Sequence, residues 1–211
     1  MKKGLTELVF IIDGSGSMHD LTDDTIGGFN AMISKQMDVE GEALVSTVIF
    51  NHEFKVVHDR VNLNSIDKMT QKDYVPNGST ALIDAIGRSI KHISTVHKYI
   101  REEDVPEKTI FVITTDGMEN SSQQYSSDEV KKMVSAREEA GWEFLFLGAN
   151  IDSVETAKNL GIRENRAANY RPTSTGERKK YSVLGDAICS FRSNSVINEN
   201  WSAPLNSKED K

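Results

Sequence analysis

Apolar runs of strand length alternate with longer stretches of helical period along almost all of this 211-residue chain. That alternation is what most narrows the folds open to it. A parallel neighbour in a sheet needs a crossover long enough to hold a helix, so strand–helix–strand repetition points to βαβ units and a mostly parallel sheet. The first strand is expected over residues 7–12, followed by a helix over 22–37 with Ile26, Phe29, Ile33 and Met37 at helical spacing. The Gly27-Gly28 pair weakens that helix and lets it pack closely on the sheet. Residues 43–50 read as a second strand. Residues 54–61 read as a third, antiparallel to it, because Asn51, His52 and Glu53 are too few for a crossover.

After a loop over 62–77 comes a long helix, 80–101, turning Leu82, Ile83, Ile86, Ile90 and Ile93 inward. A β-branched strand is expected over 109–115, a helix over 126–140 stopped by Gly141, and strands over 142–147 and 166–170 flanking a helix over 153–160. Ser174-x-x-Glu177 has the form of a capping box and should open a last helix reaching Ser193. One domain over 1–193 follows, with a polar tail over 194–211 that lies on the surface or is flexible, pinned in part by Trp201.

Directly behind the apolar run Leu8-Val9-Phe10-Ile11-Ile12 stands Asp13-Gly14-Ser15-Gly16-Ser17-Met18. The strand fixes where the turn begins, and the two glycines let the backbone bend tightly. Asp13, Ser15 and Ser17 can then aim hard oxygen atoms at one point above the strand end. Oxygen ligation suits Mg²⁺ or Mn²⁺ and is poor for Zn²⁺, which prefers His and Cys.

The D-x-S-x-S pattern resembles the metal-ion-dependent adhesion site of von Willebrand factor type A domains. The resemblance calls for a Thr in a later loop and an Asp at the end of a later strand. Thr80 in Asn77-Gly78-Ser79-Thr80-Ala81-Leu82 matches the first, and Asp116, closing the run Thr109 to Thr115, matches the second. Either residue alone would suit a helix cap or a turn; three motifs in the right order agree on one site. The resemblance covers residues 7–193. It implies a doubly wound, Rossmann-like α/β fold, with a mostly parallel six-stranded sheet, one antiparallel edge strand and helices on both faces. It also implies Ser15, Ser17 and Thr80 as direct ligands of Mg²⁺ (or Mn²⁺), with Asp13 and Asp116 orienting water and compensating charge. Neutral hydroxyls leave much of the cation's charge unsatisfied, so the open coordination position is a socket for another protein's Asp or Glu.

Composition bounds the alternatives. A net charge of −7 disfavours nucleic acid and anionic membranes as partners. Cys189, the only cysteine, allows no intramolecular disulfide and no cysteine-based metal site. No run approaches the roughly 18 apolar residues of a membrane span. Met1-Lys2-Lys3 before an apolar run imitates a signal peptide, but cleavage there would destroy the motif that begins at Asp13, so a cytoplasmic protein of the stand-alone bacterial or phage type is expected.

The leading function is a non-enzymatic, metal-dependent protein-binding module. A metal-dependent phosphohydrolase competes, since a strand-end Asp with Mg²⁺ can polarise a phosphoryl oxygen; no Lys or Arg stands in the three motifs, and Ser15 sits where a second Asp would be wanted. A nucleic-acid-associated module is the third reading. Gly14-Ser15-Gly16 lacks the third glycine of a dinucleotide fingerprint. Glu119-Asn120 and His19-Asp20 read as solvated turns, and His52, His58, His92 and His97 as ordinary packing or surface histidines. The basic stretch Arg163, Arg166, Arg171, Arg178, Lys179 and Lys180 reads as a solvated helix start.

Overall fold

The computed structural model describes residues 1–206. Strands β1 (Lys2–Asp13), β2 (Glu42–Phe50), β3 (Phe54–Asn62), β4 (Pro106–Thr115), β5 (Glu143–Gly148) and β6 (Ala167–Asn169) form one sheet in the order β3-β2-β1-β4-β5-β6. All pairs are parallel except β2 with β3, which the three-residue connection makes antiparallel. The helices are α1 (Thr22–Met37), α2 (Leu82–Tyr99), α3 (Ser127–Glu139), α4 (Ser153–Asn159) and α5 (Ser174–Asn194).

Side chains alternate across the sheet, so each central strand feeds two cores. Leu8, Phe10 and Ile12 of β1 join Ile110, Val112, Leu145 and Leu147 beneath α1 and α5. Val9 and Ile11 join Phe111, Ile113, Phe144 and Phe146 beneath α2, α3 and α4. Burying each such side chain contributes roughly 1.5–3 kcal/mol, which is why β1, buried on both faces, reads as an unbroken apolar run. Its register places Asp13 beside Phe50 and Ile12 beside Thr114. The ends of β1 and β4 therefore come level at one edge, beside the reversal of chain direction at which open α/β sheets form their sites.

A carboxylate from β1 itself lies inside this apolar centre. Glu7 in β1 is fully buried and accepts from Arg60 Nε at 3.0 and 3.2 Å and from the ring of His97 at 3.2 Å. Arg60 sits where the β2–β3 register shifts, with φ 51°.

Several boundaries differ from expectation. β1 begins at Lys2, five residues earlier than expected, because Lys2 N donates to Val105 O and Lys2 pairs with Pro106 of β4. The long helix starts at Leu82, with Thr80 outside it. The last helix is capped by Thr173, whose side chain accepts from Gly176 N at 3.1 Å. Ser174-x-x-Glu177 is not a capping box, since Glu177 is turned into the core and paired with Lys180. A true capping box joins Ser126 and Glu129 at the start of α3. Beyond α5, Ile197 and Trp201 are buried, and the Trp201 indole donates to Asn165 O at 2.9 Å. The remainder of the tail expected to be flexible, residues 207–211, lies outside the described residues. Among the described residues, no helix is long and apolar enough to cross a membrane.

Candidate metal centre

Past β1 the chain turns across the top of the sheet, held by backbone bonds on both sides. Gly14 N donates to Phe50 O at 2.7 Å, Asn77 N to Gly14 O at 2.9 Å, and Gly16 N to Gly78 O at 3.1 Å. A Cβ on Gly14 would stand 2.6 Å from Ile49 Cγ2, so the turn closes only with glycine there. Gly78 has φ +70° and packs against the His52 ring, which fixes the loop that carries Thr80. Met18, buried beneath, anchors the other end of the turn.

Asp13 is 1% exposed and Asp116 3%. Ser15 N donates to Asp13 Oδ1 at 2.7 Å, and Thr115 Oγ1 donates to Asp13 Oδ2 at 2.6 Å. Ser17 Oγ donates to Asp116 Oδ1 at 2.7 Å and lies 3.1 Å from Ser15 Oγ. Thr80 Oγ1 lies 3.8 Å from where a Cβ on Gly117 would project, which puts its hydroxyl against the residue that follows Asp116. The fold thus brings Asp13, Ser15, Ser17 and Asp116 into one hydrogen-bonded group, with Thr80 beside it. Ser17 is exposed, whereas Ser15 and Thr80 are buried.

The electrostatics suit a cation. Burial is the main influence raising the Asp116 pKa; the Ser17 hydrogen bond pulls it down, and neighbouring Asp13 pushes it up again. A hydroxyl that gives its proton to a carboxylate keeps its lone pairs for a cation, and Ser17 is in that state. Two nearly dry carboxylates side by side, edged by hydroxyl oxygens, fit a hard divalent ion. Among the described residues no three His, Cys, Asp or Glu side chains gather as a metal cluster. The donor set here depends on hydroxyls instead.

Thr80 does not cap α2, whose N-cap position is Ala81 with no side-chain bond. Asn120 fixes it: Thr80 N donates to Asn120 Oδ1 at 2.9 Å, and Asn120 N donates to Thr80 O at 3.0 Å. Glu119 accepts from Ile83 N at the start of α2 and from Ser121 N and Ser122 N. Asp84 accepts from the backbone of Gln123, Gln124 and Tyr125. Glu119-Asn120 is therefore a brace between the Asp116 and Thr80 loops, where a solvated turn was expected. Thr115, Asn150, which donates to Asp116 O at 3.1 Å, and Tyr74, whose hydroxyl donates to Asp13 O at 2.7 Å, are further supports that the sequence motifs do not show.

Of the residues read as bystanders, His92 pairs with Asp59 and His97 with Glu7, while His58 is buried against Phe29. Arg163 and Arg166 bind Glu143, and Arg178 binds Asp24. Lys180 is fully buried, so the basic stretch is not uniformly a solvated helix start.

Neither a family model nor a curated protein matches the sequence. Solved structures do match the fold. The vWF domain of the type V pili tip protein Mfa5 from Porphyromonas gingivalis superposes with TM-score 0.63 at 11% identity, covering 92% of this chain and 98% of that one. Manganese-loaded Plasmodium vivax TRAP gives 0.58 at 17%, covering 86% and 74%. Proximal thread matrix protein 1 from the mussel byssus, with a zinc-occupied MIDAS motif, gives 0.59 at 12%. It is matched over 88% of this chain but only 46% of its own length. The chain has the von Willebrand factor type A fold, and structures of that fold carry divalent metals.

Proposed function

We propose that this chain, with its von Willebrand factor type A fold, is a metal-dependent protein-binding module. In this reading Asp13, Ser15, Ser17, Thr80 and Asp116 hold Mg²⁺ or Mn²⁺, and an acidic side chain of a partner protein completes the coordination. The observation that carries it is the all-oxygen group at the level ends of β1 and β4, with two carboxylates buried and one hydroxyl, Ser17, open to solvent.

A bound divalent ion would supply a positive point with an exchangeable position for an oxygen anion. The chain's own residues do the rest. Asp13 and Asp116 orient the Ser15 backbone, Thr115 and Ser17 through accepted hydrogen bonds, and Asn120 holds Thr80 at the rim. None of the named residues is a cation able to face a transferred phosphoryl group, which favours binding over hydrolysis. A cytoplasmic location belongs to the same reading, in keeping with a lone cysteine, Cys189, that leaves no intramolecular disulfide to form.

Isothermal titration with Mg²⁺ or Mn²⁺ should reveal one site in the wild type. Ser15→Ala combined with Ser17→Ala should abolish it, as should Asp13→Ala, with the circular dichroism of metal-free protein retained. Unchanged metal binding in the double serine variant would sink the assignment.

A further inference from the structure

Behind the metal centre, on the side covered by α1 and α5, lies an ion pair completely shut off from solvent. Glu177 and Lys180 are each 0% exposed and hydrogen-bonded to each other. The Lys180 ammonium sits 4.5 Å from the centre of the Tyr170 ring and 4.6 Å from that of Tyr181. Glu177 Oε1 also accepts from Thr25 Oγ1 of α1 at 3.0 Å. Its other oxygen, Glu177 Oε2, is buried with no hydrogen-bond partner, as are the hydroxyls of Tyr170 and Tyr181.

Such an arrangement costs stability. A buried ion pair gains little over well-packed apolar residues, and an orphaned carboxylate oxygen adds its own desolvation penalty. Well-packed apolar residues often replace such pairs without loss of stability, so the pair calls for another explanation. Its surroundings supply one. Lys180 lies over the Tyr170 ring, and Tyr170 N donates to Gly148 O at 3.0 Å, beside Thr115, which pairs with Gly148 and precedes Asp116. α5 thus reaches the residue before Asp116 through Tyr170 and β5, and Tyr74, which donates to Asp13 O at 2.7 Å, lies in the same buried cluster as Tyr170 and Tyr181.

We infer that Glu177 and Lys180 are positioning residues that form a buried electrostatic back wall to the metal centre and set its affinity for a divalent cation. The inference rests on the metal-binding reading of Asp13 and Asp116. By formal charge, three buried carboxylates and one ammonium leave the centre two negative charges, which a divalent ion balances. Removing Glu177 leaves one negative charge, and removing Lys180 leaves three. Because no polar atom of the pair is itself a ligand in this scheme, it acts through the field alone. It also ties the metal's affinity to the seating of α5, from which both charges project.

The test is calorimetric titration of the full chain with Mn²⁺, comparing wild type, Glu177→Gln, Lys180→Met and the double variant. Glu177→Gln should bind about tenfold more weakly and Lys180→Met about tenfold more tightly, the order expected of one charge acting across a partly screened interior. The double variant restores the formal charge and should return to within about threefold of wild type. A packing role alone would weaken binding in every variant, and that result would overturn the inference, as would wild-type affinity in all three. If Lys180→Met does not fold, loss in Glu177→Gln and its recovery in the double variant decide the matter. Absence of Mn²⁺ binding by the wild type would instead remove the metal reading itself.

Discussion

Asn120 carries more of the candidate site than its place in a polar loop suggests, because both of its backbone-directed bonds end on Thr80. Asn120→Ala should weaken Mn²⁺ binding without changing the ligand set, measured by the same titration, and wild-type affinity would refute the brace. Elsewhere, Arg60 answers the fully buried Glu7. Arg60→Met would leave that carboxylate short of its main partner and should cost about 3 kcal/mol in urea unfolding, the scale of a broken buried pair. His58 gives a pH signature. Burial lowers its pKa below the ordinary imidazole value, while the Asp73 and Asp67 carboxylates offset part of the effect. The folded state then holds the neutral ring, so His58's contribution is complete above about pH 6.5 and is lost as pH falls through the depressed folded value. His58→Phe should flatten the fall in thermal midpoint between pH 7 and 5; an unchanged slope would rule His58 out as its source. Asp13, Ser15 and Ser17 were legible in the sequence because their geometry is local, set within five residues by a strand end and a turn. Asn120, Glu119 and Asp84 were not, since each acts on backbone tens of residues away, and a carboxylate that holds a loop looks the same in sequence as one facing water.

Elements were read best where burial is two-sided or the hydrophobic period is long. The strands from β1 to β5 and the amphipathic α2 announce themselves because their apolar residues have no alternative use. Boundaries fared worse. The first residues of β1 are polar or glycine and join the sheet through backbone pairing with β4 and side-chain bonds to Glu42 and Glu107, which no hydrophobic pattern records. Ser174 and Glu177 have capping-box spacing, yet Thr173 takes the cap and Glu177 goes inward, a tertiary demand overriding a local rule. The capping box that does form, Ser126 with Glu129, makes a clean test. Ser126→Ala should lower stability by about 1 kcal/mol in urea unfolding and leave metal affinity unchanged. A larger loss, or an effect on the metal, would mean that α3 braces the site.

In the proposed reading the molecule offers one metal edge to a partner, and its overall negative charge requires that edge to attract a carboxylate through direct ligation rather than through long-range attraction. Replacing the partner's ligating Glu or Asp by the amide should weaken the complex by about 2–5 kcal/mol. Removing metal with EDTA should do the same, and the two losses should not add, because each removes the same bond; additive losses, or an unaffected complex, would place the contact on another face. The full sheet order was not legible in the sequence, since a strand's neighbours depend on pairings across the whole chain. That order, with β1 between β2 and β4, also governs how the molecule can be born. Of the six strands of this sheet, β1 is made first yet lies at its centre, and one of its two neighbours is not complete until residue 115 has been made. Until then a nascent chain carries a long apolar strand with an open flank, a template for pairing with other chains. A fragment ending at residue 105 should accordingly collect in the insoluble fraction, and one that stays monomeric in solution would show that another segment shields β1 while the chain waits.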